Sequence, residues 1–250
     1  GRYESALEHF TEYAKMGNAR AQYYLGEMYS YGRGVFRDYA KAVEWYRKSA
    51  ERGNARAQYS LGRMYENGRC VSKDYVKAVE WYRKSAEQGN SKAQYSLGYM
   101  YRNGLGVSRD YAKAVEWYRK SAEQGYCYAQ EDIGRMYEEG LGVSRDYAKA
   151  AEWYQKAISR GNTDAMCNLG YMYEYGLGVS KDNYRAAGLY FWAAKQGCLE
   201  AKKKWSSIHL IFKIKMFTKW FFLYFKNLYR YIRFISSGKK KMKEPNTSPL

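Results

Sequence analysis

The chain has 250 residues, enough for one large or two small domains, and a formal net charge of +18. Its 2 prolines both lie in the last six positions, so nearly all of the chain is free to be helical. The four cysteines form no CxxC pair and have only His9 and His209 as possible companions, which argues against a zinc site and a dense disulfide framework.

A pattern of 36 residues repeats along the chain. Glycine recurs at this interval as Gly17, Gly53, Gly89, Gly125, Gly161 and Gly197. The third unit ends in AQYSLGYMYRNGLGVSRDYAKAVEWYRKSAEQG, and the second unit is nearly identical to it. We predict a half repeat with a second helix only at 1–17, five full repeats at 18–197, and the start of a C-terminal capping helix at 198–207.

The first half of each unit predicts a helix. Ala21, Leu25 and Met28 fall on one face at helical spacing. Inside this helix a glycine recurs, as Gly26, Gly62, Gly98, Gly134 and Gly170. Glycine there costs about 1 kcal/mol relative to alanine, so its recurrence predicts a close approach of another helix. A turn with two glycines follows, as at Gly32 and Gly34 in the first unit.

The second half of each unit predicts an antiparallel helix. An aspartate stands at its N-cap position in every unit, as Asp38, Asp74, Asp110, Asp146 and Asp182. The residues predicted to be buried in the first unit are Tyr39, Ala42, Trp45, Tyr46 and Ala50, and those predicted to be exposed are Lys41, Glu44, Arg47, Lys48 and Glu51. One such hairpin cannot bury its apolar face alone, so stacked neighbours are expected to form an all-α, α/α superhelical solenoid.

The motif ALGxMYxxGxGVxxDYxKAxEWYxKAxxxG, spread across these units, resembles the Sel-like repeat (SLR) family, a relative of the tetratricopeptide repeats. The resemblance covers residues 1 to about 205. It implies an adaptor or scaffold for protein complexes, without a cofactor. Cysteine-rich relatives carry a disulfide in each repeat, and β-lactam hydrolysis has been proposed for some of them. This sequence lacks the repeated cysteine pair, so that activity is not carried over.

The outward side of the first helices is predicted to bind a protein or peptide, because the resemblance implies that these helices line a concave groove. Tyrosine and arginine, which recur there, dominate protein interfaces. The predicted binding residues are Arg20, Tyr23, Glu27, Arg56, Tyr59, Arg63, Lys92, Tyr95, Tyr99, Glu131, Arg135 and Tyr171. This side carries five basic and two acidic residues in repeats one to three, but one basic and five acidic in repeats four and five. The pattern favours a peptide docked with its acidic end toward repeat one. The alternative is a solvated face whose tyrosines serve packing.

The C-terminal segment has a different composition. Residues 198–250 hold 13 Lys and Arg against Glu200 and Glu244. A basic, aromatic amphipathic helix is predicted at 208–236 and a polybasic disordered tail at 237–250. The predicted membrane or capping contacts are Lys215, Lys219, Lys226, Arg230, Arg233, Trp220 and Phe221. An anionic membrane surface, reached through 208–243, is the favoured partner. The alternatives are packing against the last repeat, where Phe191 and Trp192 replace charges, and an unselected extension.

Two other functions, an enzyme and a nucleic-acid-binding protein, are less well supported by the sequence. An enzyme needs a constellation of groups that is not repeated, whereas each acidic residue here has a structural counterpart in other repeats, and His9 takes the place of Trp45. Nucleic-acid binding through the basic, aromatic tail is an alternative function, but the repeats mix both signs of charge, which argues against it. The chain begins with Gly1 inside the repeated pattern, so it is expected to be trimmed, and no targeting signal is assigned.

Overall fold

The fold is described from a computed structural model that covers the backbone of residues 2–207 and the side chains of residues 5–207. The helices are α1 (Arg2–Lys15), α2 (Ala19–Tyr31), α3 (Tyr39–Glu51), α4 (Ala55–Asn67), α5 (Tyr75–Glu87), α6 (Ser91–Asn103), α7 (Tyr111–Glu123), α8 (Cys127–Glu139), α9 (Tyr147–Ser159), α10 (Thr163–Tyr175) and α11 (Asn183–Lys195). Residues 199–207 are also helical and are called the terminal helical segment below. The amphipathic helix predicted at 208–236, its contact residues and the tail at 237–250 lie outside the described residues.

The helices pack as a linear series of hairpins. Five hairpins are formed by α2 with α3, α4 with α5, α6 with α7, α8 with α9, and α10 with α11. Each hairpin then contacts the next one through a second helix and the first helix that follows it. This arrangement confirms the predicted all-α solenoid, in which each repeat buries its apolar face against its neighbours.

Side-chain caps begin most of the helices. Asn54 Oδ1 accepts a hydrogen bond from the backbone N–H of Ala57 at 3.0 Å, at the start of α4. Asp74 Oδ1 accepts one from the N–H of Lys77 at 3.0 Å, at the start of α5. The predicted aspartate caps form in all five full repeats. At α8 the cap position is Tyr126, whose side chain makes no such bond.

A glycine and a tyrosine fix the distance between the two helices of each repeat. A Cβ atom on Gly98 of α6 would lie 2.7 Å from the ring of Tyr118 on α7 and 3.2 Å from the backbone oxygen of Ala114. Only glycine leaves room for this ring. The tyrosines at this position, Tyr46, Tyr82, Tyr118, Tyr154 and Tyr190, are all at most 2% exposed. The close approach predicted from the recurring glycines is therefore confirmed.

The second helices bury a slightly different set of residues from the predicted one. Trp45 and Tyr39 are only half-buried, whereas Val43 and Ser49 are buried. Trp45 packs against the buried cluster of Ala14, Ala21, Leu25 and Met28, and Lys48 Nζ lies 4.5 Å from the ring centre. The hydroxyl of Ser49 donates to the backbone oxygen at the start of α2 at 2.6 Å, which explains a buried polar residue there.

No helix within residues 2–207 combines the length and the apolar character that a membrane span requires.

Candidate partner-binding site

The first helices of repeats one to three border a shallow depression of about 560 Å³. Its wall is formed by α2, α4, the start of α6 and the end of α7. The lining residues are Tyr23, Glu27, Tyr31, Arg56, Tyr59, Ser60, Arg63, Gly89, Asn90, Ser91, Lys92 and Gln124, and we call this surface the tyrosine–arginine depression. Six of the predicted binding residues belong to it: Tyr23, Glu27, Arg56, Tyr59, Arg63 and Lys92. Arg20 lines a smaller adjoining depression.

Two half-buried tyrosines contribute the apolar part of this depression. The Tyr23 ring centre lies 6.0 Å from that of Tyr46, and the Tyr59 ring centre lies 5.8 Å from that of Tyr82. Each ring therefore packs against the core tyrosine of its own repeat and also borders the depression. Burial raises the pKa of Tyr23 to about 12, so its hydroxyl is protonated at neutral pH. These rings are fixed aromatic surfaces with a polar end.

The charge of the tyrosine–arginine depression is positive. Arg56, Arg63 and Lys92 are all exposed. Within the residues that the structure describes, none of these three cations forms an ion pair with a carboxylate. The one acidic lining residue, Glu27, accepts a hydrogen bond from the hydroxyl of Tyr46 at 2.6 Å. Three cations thus remain available to an anionic group from outside the chain.

A buried ion cluster lies between repeats three and five. Arg102 donates to Asp132 at 2.7 Å, and Arg135 donates to Glu131 at 2.5 Å. The amide of Asn168 also donates to Glu131, at 3.0 Å. Burial raises the pKa of both carboxyl groups above their ordinary values, while the neighbouring guanidinium groups oppose that shift. This cluster links the first helices of successive repeats.

The cluster corrects part of the sequence prediction. Glu131 was expected on the open face, but it is only 6% exposed because its carboxylate is satisfied internally by Arg135 and Asn168. Arg135 is half-buried in the same pair, whereas Tyr99 and Tyr171 are exposed as predicted. Tyr95 is half-buried, with its ring centre 5.2 Å from that of Tyr126.

The predicted gradient of charge is also weaker than the sequence indicates. In repeats four and five, Glu138 and Glu174 accept hydrogen bonds from the hydroxyls of Tyr154 and Tyr190 at 2.5 and 2.9 Å. Together with Glu131, these residues use their carboxylates inside the fold. Only Glu139 and Asp164 are exposed among the acidic residues of the predicted gradient in repeats four and five, so fewer acidic than basic residues of the gradient face solvent.

Sequence reasoning missed the contribution of the turns to this depression. Asn90 and Ser91 lie where α5 ends and α6 begins, and Gln124 lies at the end of α7. Gln124 donates to the side-chain oxygen of Gln94 at 2.7 Å, and Gln88 donates to Gln58 in the same way at 2.7 Å. The sequence feature that could have indicated this contact is a pair of glutamines 30 residues apart, which recurs in two successive repeats.

Within the described residues, no cluster of three or more His, Cys, Asp and Glu side chains could hold a metal ion. His9, which was compared with Trp45, is exposed on α1.

Comparison with known proteins gives a consistent picture. The family model of the Sel1 repeat matches five consecutive segments, residues 19–54, 55–90, 91–126, 127–162 and 163–198. No functionally curated protein matches the sequence.

Solved structures with a similar fold include two with substantial sequence identity. A Sel1 repeat protein from Oxalobacter formigenes is 39% identical with a TM-score of 0.78, and the match covers 82% of both chains. The protective antigen c5321 of uropathogenic Escherichia coli, which displays an SLR fold, is 41% identical with a TM-score of 0.79. That match covers 82% of this chain and 44% of c5321, so the chain spans less than half of that protein. The immunity protein Pa5087 from Pseudomonas aeruginosa is 23% identical with a TM-score of 0.50 and is similar in fold alone.

Proposed function

Because the chain belongs to the Sel1 repeat family, we propose that it is a protein-interaction scaffold that binds an acidic segment of a partner in the tyrosine–arginine depression. Sel1 repeat proteins are commonly interaction scaffolds and are generally non-catalytic. The proposal of an acidic partner segment rests on one observation. The exposed cations Arg56, Arg63 and Lys92 surround half-buried tyrosine rings.

The chemistry of this surface favours an acidic peptide with aromatic or apolar side chains. Asp and Glu side chains of the partner would pair with Arg56, Arg63 and Lys92, and arginine can hold a carboxylate with two hydrogen bonds. The rings of Tyr23 and Tyr59 offer flat apolar area to neighbouring side chains of the peptide. Because the cations are exposed, screening by salt should weaken the complex.

The test is a selection of peptides from a random library displayed on phage, with the full chain as the target. We expect the selected peptides to be enriched in Asp and Glu next to aromatic residues. Their affinity should fall about tenfold or more for the triple variant Arg56→Glu, Arg63→Glu, Lys92→Glu, since three exposed charge pairs are lost.

A matched control places the same number of charge reversals on the second helices. It combines Arg47→Glu, Arg83→Glu and Arg119→Glu, which all lie at one exposed repeat position. Peptide affinity should be close to wild type in this variant, and thermal unfolding should show that both variants are folded. Peptides that bind all three proteins equally, or that lose affinity only for the control, would contradict the proposal.

We further propose, from the sequence pattern alone, that residues 208–243 attach this scaffold to an anionic membrane surface. The test is co-sedimentation with vesicles, comparing the full chain with a chain that ends at Ser206. We expect the full chain alone to pellet, and only with anionic vesicles. Equal behaviour of the two chains would reject the membrane role.

A further inference from the structure

Two cysteines meet where the fifth repeat contacts the terminal helical segment. Cys167 lies on α10, Cys198 directly precedes residues 199–207, and their Sγ atoms are 3.1 Å apart. Both thiols are free and half-buried. A disulfide bond is about 2.05 Å long, so the two sulfur atoms need to approach by roughly 1 Å to form one. Rotation of the two side chains about their Cα–Cβ bonds is the movement that would close this gap.

The symmetry of the repeats gives an independent reason to treat these residues as a pair. Tyr95 and Tyr126 occupy the same two positions two repeats earlier, and their rings are in contact with centres 5.2 Å apart. Two positions that touch at one joint of the solenoid are thus both cysteine at the last described joint. By contrast, Cys70 is exposed in a turn.

We propose that Cys167 and Cys198 form a reversible intramolecular disulfide that fastens the terminal helical segment to α10. The segment also packs on the fifth repeat through Trp205, whose ring centre lies 5.5 Å from that of Phe191. Ala201 is buried, and Lys204 Nζ lies 3.5 Å from Glu174 on α10. Each unit of a solenoid is held mainly by its contacts with adjacent units, so separation of the segment from α10 is a local opening. A covalent link at Cys198, directly before the segment, opposes that opening.

The oxidant is a low-molecular-weight disulfide such as oxidised glutathione. Cys198, whose sulfur accepts a hydrogen bond from the backbone N–H of Ala201 at 3.5 Å, reacts first and gives up its proton to solvent. It attacks one sulfur of oxidised glutathione, whose S–S bond breaks and releases one glutathione thiolate.

The second step closes the ring. Burial raises the pKa of the Cys167 thiol, so it loses its proton to solvent or to the departing glutathione only as it attacks. The sulfur of Cys167 bonds to that of Cys198, and the mixed disulfide breaks to release the second glutathione. In sum, two protein thiols lose two electrons and two protons, and oxidised glutathione becomes two reduced molecules.

The first experiment is to treat the full chain with oxidised glutathione, block the remaining thiols, digest with trypsin without reductant, and measure peptide masses. We expect the peptides 161–181 and 196–202 to be joined through Cys167 and Cys198. Cys70 and Cys127 should carry glutathione or the blocking group. Separate glutathione adducts on Cys167 and Cys198, with no joined peptide, would overturn the proposal.

The second experiment is to measure hydrogen exchange in residues 199–207 before and after oxidation. In the wild type we expect oxidation to slow exchange about tenfold or more, because opening of the segment is opposed. Cys198→Asn should show no change on oxidation. This variant is expected to fold, because asparagine is the cap at the same position in α2, α4, α6 and α10.

Cys70→Gly is the matched control, since it also removes one thiol and should respond to oxidation as the wild type does. A joined peptide without any change in exchange would refute the fastening role. A slowing that persists in Cys198→Asn would show that another thiol is responsible, and would equally reject the proposal.

Discussion

Two neighbouring joints of the solenoid use the same positions in different ways. At the first of them, Glu66 on α4 accepts a hydrogen bond from the hydroxyl of Tyr82 at 2.5 Å. One repeat later the residue at this position is Arg102, which pairs instead with Asp132 on α8 at 2.7 Å. The Tyr118 hydroxyl has then lost its acceptor, because a guanidinium only donates. We call these the Glu66 joint and the Arg102 joint.

This difference distinguishes residues that hold the repeats together from residues that vary on the face of the first helices. The core tyrosine and the glycine opposite it are unchanged between the two joints. The face of the first helices, in contrast, exchanges a hydrogen bond for a buried ion pair. The stack therefore tolerates changes of charge on this face, which is the face that borders the tyrosine–arginine depression.

The largest expected effect is at the Arg102 joint. Asp132→Ala should lower the free energy of unfolding by about 3–5 kcal/mol, because it leaves the guanidinium of Arg102 buried without its partner. Denaturant unfolding followed by circular dichroism measures this loss. The double variant Arg102→Glu, Asp132→Ser copies the Glu66 joint, where residue 96 is Ser. It should recover most of the loss, and a double variant as unstable as Asp132→Ala would contradict the comparison.

A smaller effect should distinguish the two core tyrosines. Tyr82→Phe is expected to cost about 1.5–3 kcal/mol, since it removes a hydrogen bond to a carboxylate. Tyr118→Phe should change the free energy of unfolding by no more than about 0.5 kcal/mol, because the hydroxyl that it removes has no acceptor. Denaturant unfolding of the two variants under the same conditions tests this. Equal losses would show that the joints are energetically alike.

The comparison of the two joints also shows which structural features could be predicted from the sequence. The glycine at Gly98 and the cap at Asp110 were predictable, because five copies of the same residue at one position reveal its structural role. The pairing of Arg102 with Asp132 was not, since both residues depart from the repeat and their contact depends on how repeats are rotated against each other. The signal was the joint departure of two positions 30 residues apart, together with the change from tyrosine to Glu131.

The same limit applies to the candidate site. Residues on the first helices, such as Arg56 and Arg63, could be assigned to one face from helical spacing alone. The turn residues Asn90 and Gln124 could not, because their place in the wall depends on the way α5 and α7 end. Burial of Glu131 was also beyond the sequence, as the pattern of a helix face does not show which charges are satisfied internally.

The turn that contains Cys70 gives a third comparison between repeats, and here we expect a substitution to increase stability. Cys70 has a φ of 55°, and the same position in the other repeats is Gly34, Gly106, Gly142 and Gly178. A side chain in this left-handed region is strained, so Cys70→Gly should raise the free energy of unfolding by about 1 kcal/mol. Gly106→Ala is the reverse change and should be destabilising, since its Cβ would meet the backbone of Tyr75. Thermal unfolding under reducing conditions checks both signs.

The smallest expected effect is on the pH dependence of stability. It compares the buried pair of Arg102 and Asp132 with the exposed pair of Asp110 and Lys113 in the repeat that contains Arg102. The hydrogen bond from the backbone N–H of Lys113, helped by the Lys113 side chain, lowers the pKa of Asp110 below its ordinary value of 3.8. A carboxyl with a lowered pKa in the folded state stabilises the protein above its unfolded pKa, and this contribution is lost as the pH falls through the folded pKa. Burial raises the pKa of Asp132, so its contribution to stability has the opposite sign and grows on acidification.

Asp110→Asn keeps a capping oxygen but has no carboxyl to titrate. Its small deficit in stability relative to the wild type at neutral pH should therefore shrink as the pH falls below the ordinary value of 3.8 and Asp110 itself becomes protonated. Urea unfolding at neutral pH and in this acidic range measures the deficit. If the deficit is the same at neutral and acidic pH, the charge of Asp110 does not stabilise the cap. The exposed pair with Lys113 then makes no electrostatic contribution to stability.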